Sequence, residues 1–437
     1  MRSTNVSTKR QQIALHAKQM PQLSFTSLNH YLDEEWMTEA YTRLKKSSSP
    51  GVNGVTVSDY GENLNENLCS LLDRTKSGKY FAPPVRRVYI PKGDKGKEKR
   101  AIGIPETEDK VLQRAVAMVL EPIYEHDFLD CSYGFRPKRS AHQALEKIRS
   151  HLMCTQGGWI IDLDIRKFFD TLDHSELRKL FKQRVCDGVI TRLIGKWLNA
   201  GVMDKGKVSY PEFGSPQGGV ISPMLSNVYL HYVLDKWFTE EIIPRLKDQA
   251  TLVRFADDVC LLFRHKEDAL RVLSVLPKRF KKYGLTIHPE KTRMIEFFPP
   301  REGTSLMSNS FDFLGFTHFW SRSRKGNWIV KRKTAKGRLH KTIKNFDKWC
   351  KDNLHMKTCE QHLKLTQKLR GHYNYFGITG NSRSLGLVYF RVRRIWRYWL
   401  NRRNRGQEMP WGRFYNLEKF LRLPLPRAVH SICAAKL

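Results

Sequence analysis

Three aspartates carry the strongest chemical signal in this sequence: Asp164, and the adjacent pair Asp257 and Asp258. The pair lies between two apolar runs, 251–255 and 259–263, whose length and β-forming residues read as buried strands. Both carboxylates then fall at the tight connection of a hairpin, exposed at one end of a sheet. Like charges there repel, and the arrangement costs stability unless something offsets it. A divalent metal is the simplest compensator, because hard oxygen ligands suit Mg2+. An ordinary polar turn is the bland alternative, since Asp favours turns for local hydrogen-bonding reasons. Asp164 lies on a predicted strand over 159–165, sharing a face with Asp162 while Ile161, Leu163 and Ile165 take the other. If that strand neighbours the hairpin, Asp164 and Asp257 stand side by side. Carboxylates so placed can hold two divalent ions about 4 Å apart, clamping the attacking and leaving oxygens of a nucleotidyl transfer.

The residues that such chemistry needs nearby are present. Lys92 and Arg100 fall on a predicted basic hairpin (86–90 and 100–105), with suitable charge and reach for a triphosphate. The glycine-rich loop 214–219 contains Gln217 and can approach a nucleotide closely, because glycine removes the side-chain barrier. Phe169, five residues after Asp164, is bulky enough to lie against a nucleotide sugar. Asp162 reads as a strand-end residue outside the set. Asp170 and Asp173 suit helix capping, and lone histidines such as His174 and His288 suit structural roles.

Elements to position these residues can be read in order. The first two dozen residues look like a flexible lead-in. Helices are predicted over 33–44, 109–124, 140–152, 221–237 and 267–283, with another opened by Asp173. Segments 285–292 and 311–316 read as sheet-edge elements. Beyond residue 320 an apolar stripe of Val388, Val392, Ile395, Trp396, Trp399 and Leu400 recurs at helical spacing. Arg391, Arg393, Arg394, Arg397, Arg402 and Arg403 lie mostly off it. Burial statistics favour the stripe as core and leave the arginines for phosphate contact.

With 437 residues and 40% hydrophobic content, the chain can build two or three folded domains. A formal charge of +34 points to a polyanionic partner. The surplus is uneven, for residues 321–437 hold 29 Lys+Arg against 5 Asp+Glu. Eight scattered cysteines without a Cys-x-x-Cys spacing argue against a zinc ribbon or redox pair. Neither a signal-peptide core nor a membrane-length apolar run is present, so a soluble intracellular protein is expected.

Taken in order, the motifs resemble the reverse transcriptases encoded by bacterial group II introns. They are Ser-Pro-Gly-Val-x-Gly (49–54), the basic hairpin, Tyr-Gly-Phe-Arg-Pro (133–137), Asp-Ile-x-x-Phe-Phe-Asp (164–170), Ser-Pro-Gln-Gly-Gly (215–219), Phe-Ala-Asp-Asp (255–258) and Leu-Gly-Phe (314–316). The resemblance continues through Leu369 to Phe376 and the Arg/Trp-rich helix, spanning roughly 30–430. It implies an α+β right-hand polymerase with three parts. These are an N-terminal extension and fingers (1–155), a ferredoxin-like palm (156–320), and a basic α-helical thumb or maturase domain (321–437).

The resemblance also implies roles, residue by residue. Asp164, Asp257 and Asp258 match the catalytic aspartates, with two Mg2+ (Mn2+ a possible substitute) held chiefly by the first two and aided by the Ile165 carbonyl. Phe169 matches the steric gate against a ribonucleotide 2′-hydroxyl. Lys92 and Arg100 match the triphosphate grip, Gln217 a residue beside the nucleotide sugar, and Lys291 a lysine of the later palm motif. Lys291 also reads as a surface charge, and Arg136 as a buried arginine paired with Asp127 or Asp130. Partners would be intron RNA, RNA template, DNA primer or target, and dNTPs, with no membrane. The expected activity is RNA-directed DNA synthesis with maturase-assisted splicing and mobility.

Two departures stand out. Asn53 occupies a position where the family usually has Asp, and Phe255 one where Tyr is common. The Cys/His-rich endonuclease carried by some members is not found, so a primer made elsewhere is expected. A non-catalytic RNA-binding splicing factor and a polymerase of a defence or diversity-generating system are the rivals. The charged trio argues against the first, and the maturase-like 369–403 against the second.

Overall fold

The computed structural model describes residues 2–92, 98–204, 206–210, 214, 218–300, 309–403 and 409–430. The chain divides into two compact units, Met1–Lys147 with Trp159–Met294, and Ile148–Gly158 with Ile295–Leu437.

The first unit is built round the helix Thr107–Asp127, which is buried along most of its length, residues 115–120 and even Asp109, Lys110 and Gln113 included. Helices Arg2–Gln19 and Glu34–Thr42 pack against it. The second of these starts where Asp33 accepts a hydrogen bond from the Trp36 backbone N–H, an N-cap of the usual kind. The Trp36 indole N–H donates to the Ala115 carbonyl at 2.9 Å and locks the two helices together.

The expected flexible lead-in is instead an 18-residue helix. Only Val6, Ile13 and Ala17 of its described residues are buried, too few for composition to reveal, yet their spacing puts them on one face. Polar contacts complete the docking. Arg10 pairs with Glu121 at 2.8 Å. The buried Arg184 pairs with Asp127 at 2.8 Å and also donates to the carbonyls of Ala17 (3.0 Å) and Met20 (2.8 Å), where the helix ends. Asp127 is therefore taken, and the expected partner of Arg136 is wrong. Arg136 pairs with Glu125 at 3.1 Å, and Asp130 pairs with Arg139.

Eleven strands occur among the described residues, in three sheets. The basic hairpin is β1 (Val85–Lys92) and β2 (Glu98–Ile104), antiparallel with Ile90 opposite Arg100. β3 (Gly158–Leu163) comes next in the chain, and β4 (Val202–Asp204) and β5 (Lys207–Ser209) join the hairpin in the order β2-β1-β4-β5. β6 (Thr251–Phe255), β7 (Asp258–Phe263) and β8 (Arg293–Phe297) complete the central sheet with β3, in the order β6-β7-β3-β8. Segment 285–292 is not a strand and makes a single bridge, Ile165 to Ile287; Pro289 offers no N–H for a longer ladder. The helix expected over 221–237 starts as Ser222–Leu230 and then widens into π turns over His231–Asp235 and Trp237–Ile242.

The second unit holds the sheet β11-β10-β9, made of β9 (Phe311–Phe313), β10 (Phe316–Arg322) and β11 (Trp328–Thr334). Helices Lys336–Asp352, Thr358–Phe376, Ser382–Arg403 and Trp411–Phe420 follow. The Val388, Val392, Trp396 and Leu400 stripe is its core, as its spacing suggested.

Arg184 supplies the clearest test of the N-terminal docking. Arg184→Met leaves Asp127 unpaired and the helix-end carbonyls unserved, at a cost of about 3–5 kcal/mol. Urea unfolding should shift accordingly, and limited proteolysis should cut within residues 17–24. An unchanged midpoint and digestion pattern would show the helix is held by its apolar face alone.

Candidate active site

The site is assembled by register. β3 pairs antiparallel with β7, Leu163 opposite Val259, so the next step along β3 sets Asp164 opposite Asp258. β6 and β7 close with Phe255 opposite Asp258, leaving Ala256 and Asp257 as the two turn residues. Ala256 has φ +57°. A positive φ at the first turn position alone is the sign pattern of a type II′ turn, where glycine is usual. Asp257 thus stands in the turn, while Asp258 begins the strand and is exposed.

What holds alanine in that conformation is a buried network. The Arg254 guanidinium is fully buried and pairs with Asp235, equally buried, at 2.5 Å. It also donates to Asn227 Oδ1 at 2.8 Å and to the Ala256 carbonyl at 3.1 Å. Asn227 in turn donates to the Gly134 carbonyl at 2.8 Å, and Tyr133 N–H donates to the Arg254 carbonyl at 2.8 Å. A β-carbon on Gly134 would lie 2.3 Å from the Ala256 nitrogen. The Tyr-Gly-Phe-Arg-Pro motif therefore lays glycine backbone directly on the turn that carries Asp257.

Asp164 is fixed from the other side. Its carbonyl accepts from His288 N–H at 2.8 Å, and Arg166 N–H donates to the Thr286 carbonyl at 2.8 Å. These neighbours make the bridge to Ile287, so the Ile165 carbonyl is not spent on it. Lys167, three residues on, has φ +47° and caps the short helix Phe168–Thr171. Unusual backbone thus flanks both carboxylates, a frequent feature of functional sites.

Asp164, Asp257 and Asp258 line one cleft of about 690 Å³ with Lys99, Arg100 and Lys291. Lys291 pairs with Asp164 at 3.2 Å. Burial pushes the Asp257 carboxyl above its ordinary pKa and the Asp164 charge adds to this, while Arg100 and Arg254 oppose it. Among the described residues no group of three or more His, Cys, Asp or Glu is gathered tightly enough to cage a metal. A carboxylate pair is what Mg2+ takes when substrate phosphates and water complete its shell.

The remaining expected residues fare differently. Arg100 reaches the cleft. The side chain of Lys92 and the whole of Gln217 lie outside the described residues. Phe169 is half-buried, edge-on to Phe168 at 5.3 Å, and the cleft wall there is Phe168 and Asp170. Asn53 accepts from Val55 N–H at 3.1 Å and donates to Glu106 at 3.0 Å, so the loop keeps its anchor without an aspartate. Asp173 caps the helix His174–Lys182, as its position suggested. Sequence reading missed Arg254, Asp235 and Asn227, whose only signal was a polar or charged side chain inside an apolar run.

A family model described as reverse transcriptase (RNA-dependent DNA polymerase) matches residues 90–318. The chain belongs to the reverse transcriptase family. Among its relatives, protein YkfC of Escherichia coli (strain K12) is 34% identical over 363 residues, covering 74% of this chain and 91% of YkfC. The group II intron-encoded protein LtrA of Lactococcus lactis subsp. cremoris is 39% identical over 219 residues, 49% of this chain and 35% of LtrA. Nuclear intron maturase 4, mitochondrial, of Arabidopsis thaliana is 28% identical over 135 residues, 31% of this chain and 17% of that protein. The resemblance to intron-encoded reverse transcriptases read from the motifs is borne out.

For a reverse transcriptase built this way, Gly134→Ala should act on the turn and not on the fold at large. Displacing reacting groups by about 1 Å costs roughly 100-fold in rate, and the measurement is dNTP incorporation beside a far-ultraviolet circular dichroism spectrum. A normal rate in the variant would separate the glycine contact from the placement of Asp257.

Proposed function

We propose that this chain extends a DNA primer on an RNA template with dNTPs by two-metal nucleotidyl transfer. We also propose that it binds its intron RNA as a maturase, assisting splicing and target-primed insertion of the intron. The placement of Asp164 and Asp257 in one cleft, with Lys291 on the first and Arg100 acting on the second, carries the polymerase part. The intron-related names of the relatives and the 29-to-5 basic surplus of residues 321–437 support the RNA-binding part.

In this reading residues 156–320 are a ferredoxin-like palm, 1–155 the N-terminal extension and fingers, and 321–437 the thumb or maturase domain. The strand order β6-β7-β3-β8 supports the first assignment. It is the split β-α-β pattern, with the first and third strands of the unit side by side at its centre.

Asp164 and Asp257 would hold two Mg2+, or Mn2+ in their place, with Asp258 alongside and the Ile165 carbonyl as a further oxygen. Bound there, the ions supply the clamp on the attacking 3′-oxygen and on the leaving pyrophosphate oxygen. The protein's own residues do the positioning. Arg100, with Lys92 on the same hairpin, grips the triphosphate as a charge-assisted donor. Lys291 neutralises Asp164 before substrate arrives. Phe169 limits room at the sugar 2′ position, and its motif assigns Gln217 to the sugar.

Primer extension on an RNA template with dNTPs and Mg2+ tests the reading. Extension by the wild type should fall to background in Asp257→Ala/Asp258→Ala. A folded, RNA-binding wild type that never extends a primer would leave only a splicing factor. The gate has its own test: Phe169→Val should raise ribonucleotide incorporation relative to dNTP by roughly tenfold or more. Unaltered sugar discrimination would assign the gate to another side chain.

A further inference from the structure

A second cavity, of about 510 Å³, lies away from the carboxylates, on the face formed by helices His174–Lys182 and Gly188–Leu198. Its volume is in the range of about 300–1,000 Å³ that small-ligand sites occupy. The lining combines two features. Phe81 and Tyr210 are large aromatics left 69% and 67% exposed. Arg178, Lys182 and Arg192 are exposed cations on the helix faces, and no carboxylate is among the lining residues.

Nothing else in the wall accounts for those groups. Lys196, the fourth cation, is used internally, donating to the Gly78 carbonyl at 2.8 Å and lying over the Tyr80 ring. Arg178, Lys182 and Arg192 have no such anchor in the cavity and face solvent. Tyr210 is set in place by Gly201, where a β-carbon would come within 2.9 Å of its ring and 2.8 Å of Val208. Glycine at that point lets the aromatic lean in.

We propose that this cavity captures one unstacked nucleotide of single-stranded RNA, its base against Phe81 or Tyr210 and its phosphates on Arg178, Lys182 and Arg192. Aromatic faces beside cations suit a splayed base and its backbone, since every base has a π-face and every linkage a negative charge. A duplex keeps its bases stacked and cannot fill the cavity. The proposal rests on the RNA-binding reading above and gives it a location separate from catalysis.

The test uses the full chain and a 12-nucleotide RNA of uridines carrying one 5-iodouridine, crosslinked by ultraviolet light and mapped by mass spectrometry. Adducts are expected on Phe81 or Tyr210. Phe81→Ala/Tyr210→Ala should lose them and bind the oligomer about fivefold or more weakly in fluorescence anisotropy, with its melting curve checking the fold. Arg178→Gln/Arg192→Gln, which leaves both rings in place, should weaken binding and flatten its salt dependence. Binding by the wild type with adducts only elsewhere, or unweakened binding by both variants, overturns the cavity and leaves the RNA-binding reading standing. A wild type that binds no RNA at any salt concentration overturns both.

Discussion

The turn that carries Asp257 depends on one buried ion pair. Arg254 and Asp235 are both fully inaccessible, and taking two charges out of water carries a penalty that attraction repays only with good geometry and further hydrogen bonds. Here the geometry is bidentate, and the remaining donors of Arg254 go to Asn227 and to the Ala256 carbonyl. An apolar pair of equal volume could fill the space, but it could not hold the carbonyl of a turn residue. The ion pair spends stability on position. The position it fixes is that of Asp257, which follows Ala256 and whose ionisation is opposed by burial and by Asp164 and favoured by Arg100 and Arg254.

That constraint explains why the surrounding segments take unusual forms. Asp235 sits within a π turn, and wide turns of this kind re-aim side chains that an α-helix would carry elsewhere. Gly134 is pressed on Ala256, so the loop before it has no freedom to carry a side chain there. Electrostatics in the cleft follow the same logic. The Lys291 ammonium at 3.2 Å from Asp164 offsets one carboxylate, and Arg100 acts on the other. Both cations are on exposed side chains, and neither is locked in the core.

Much of this was legible in the sequence because it follows from short-range pattern. Alternation put Asp162 on β3 and Asp164 just past its end on the same face, and the apolar runs either side of Asp257 read as the hairpin they form. The basic hairpin and the Trp396 stripe were equally plain. Other features depended on contacts far apart in the chain. Arg254 looks like a charge misplaced in a strand until Asp235 is known to face it. Among its described residues the N-terminal helix has three buried side chains on an otherwise polar surface, and contacts far along the chain, chiefly the helix Thr107–Asp127 and the Arg184 guanidinium, hold it. The partner of Arg136 was misread for the same reason, since Glu125 and Asp127 differ by two residues and only the helix rotation decides between them.

The arginines near the C-terminus show how far charge counting goes. Of those off the apolar stripe, Arg393 is tied to Glu418, with its guanidinium over the rings of Tyr389 and Tyr415. Arg397 lies over Trp411 at 4.5 Å and donates to the Met409 carbonyl at 2.7 Å, and Arg403 donates to the Met356 carbonyl at 2.9 Å. Those three hold the helices Ser382–Arg403 and Trp411–Phe420 and the turn at Met356 in place, and a phosphate would have to compete with protein for them. Arg391, Arg394 and Arg402 are exposed on the same helix. Since i and i+3 positions share a helix face, Arg391 and Arg394 present two adjacent guanidinium groups to solvent. A net charge therefore overstates the surface offered to RNA. What matters is the subset of cations that the fold has not already committed to itself.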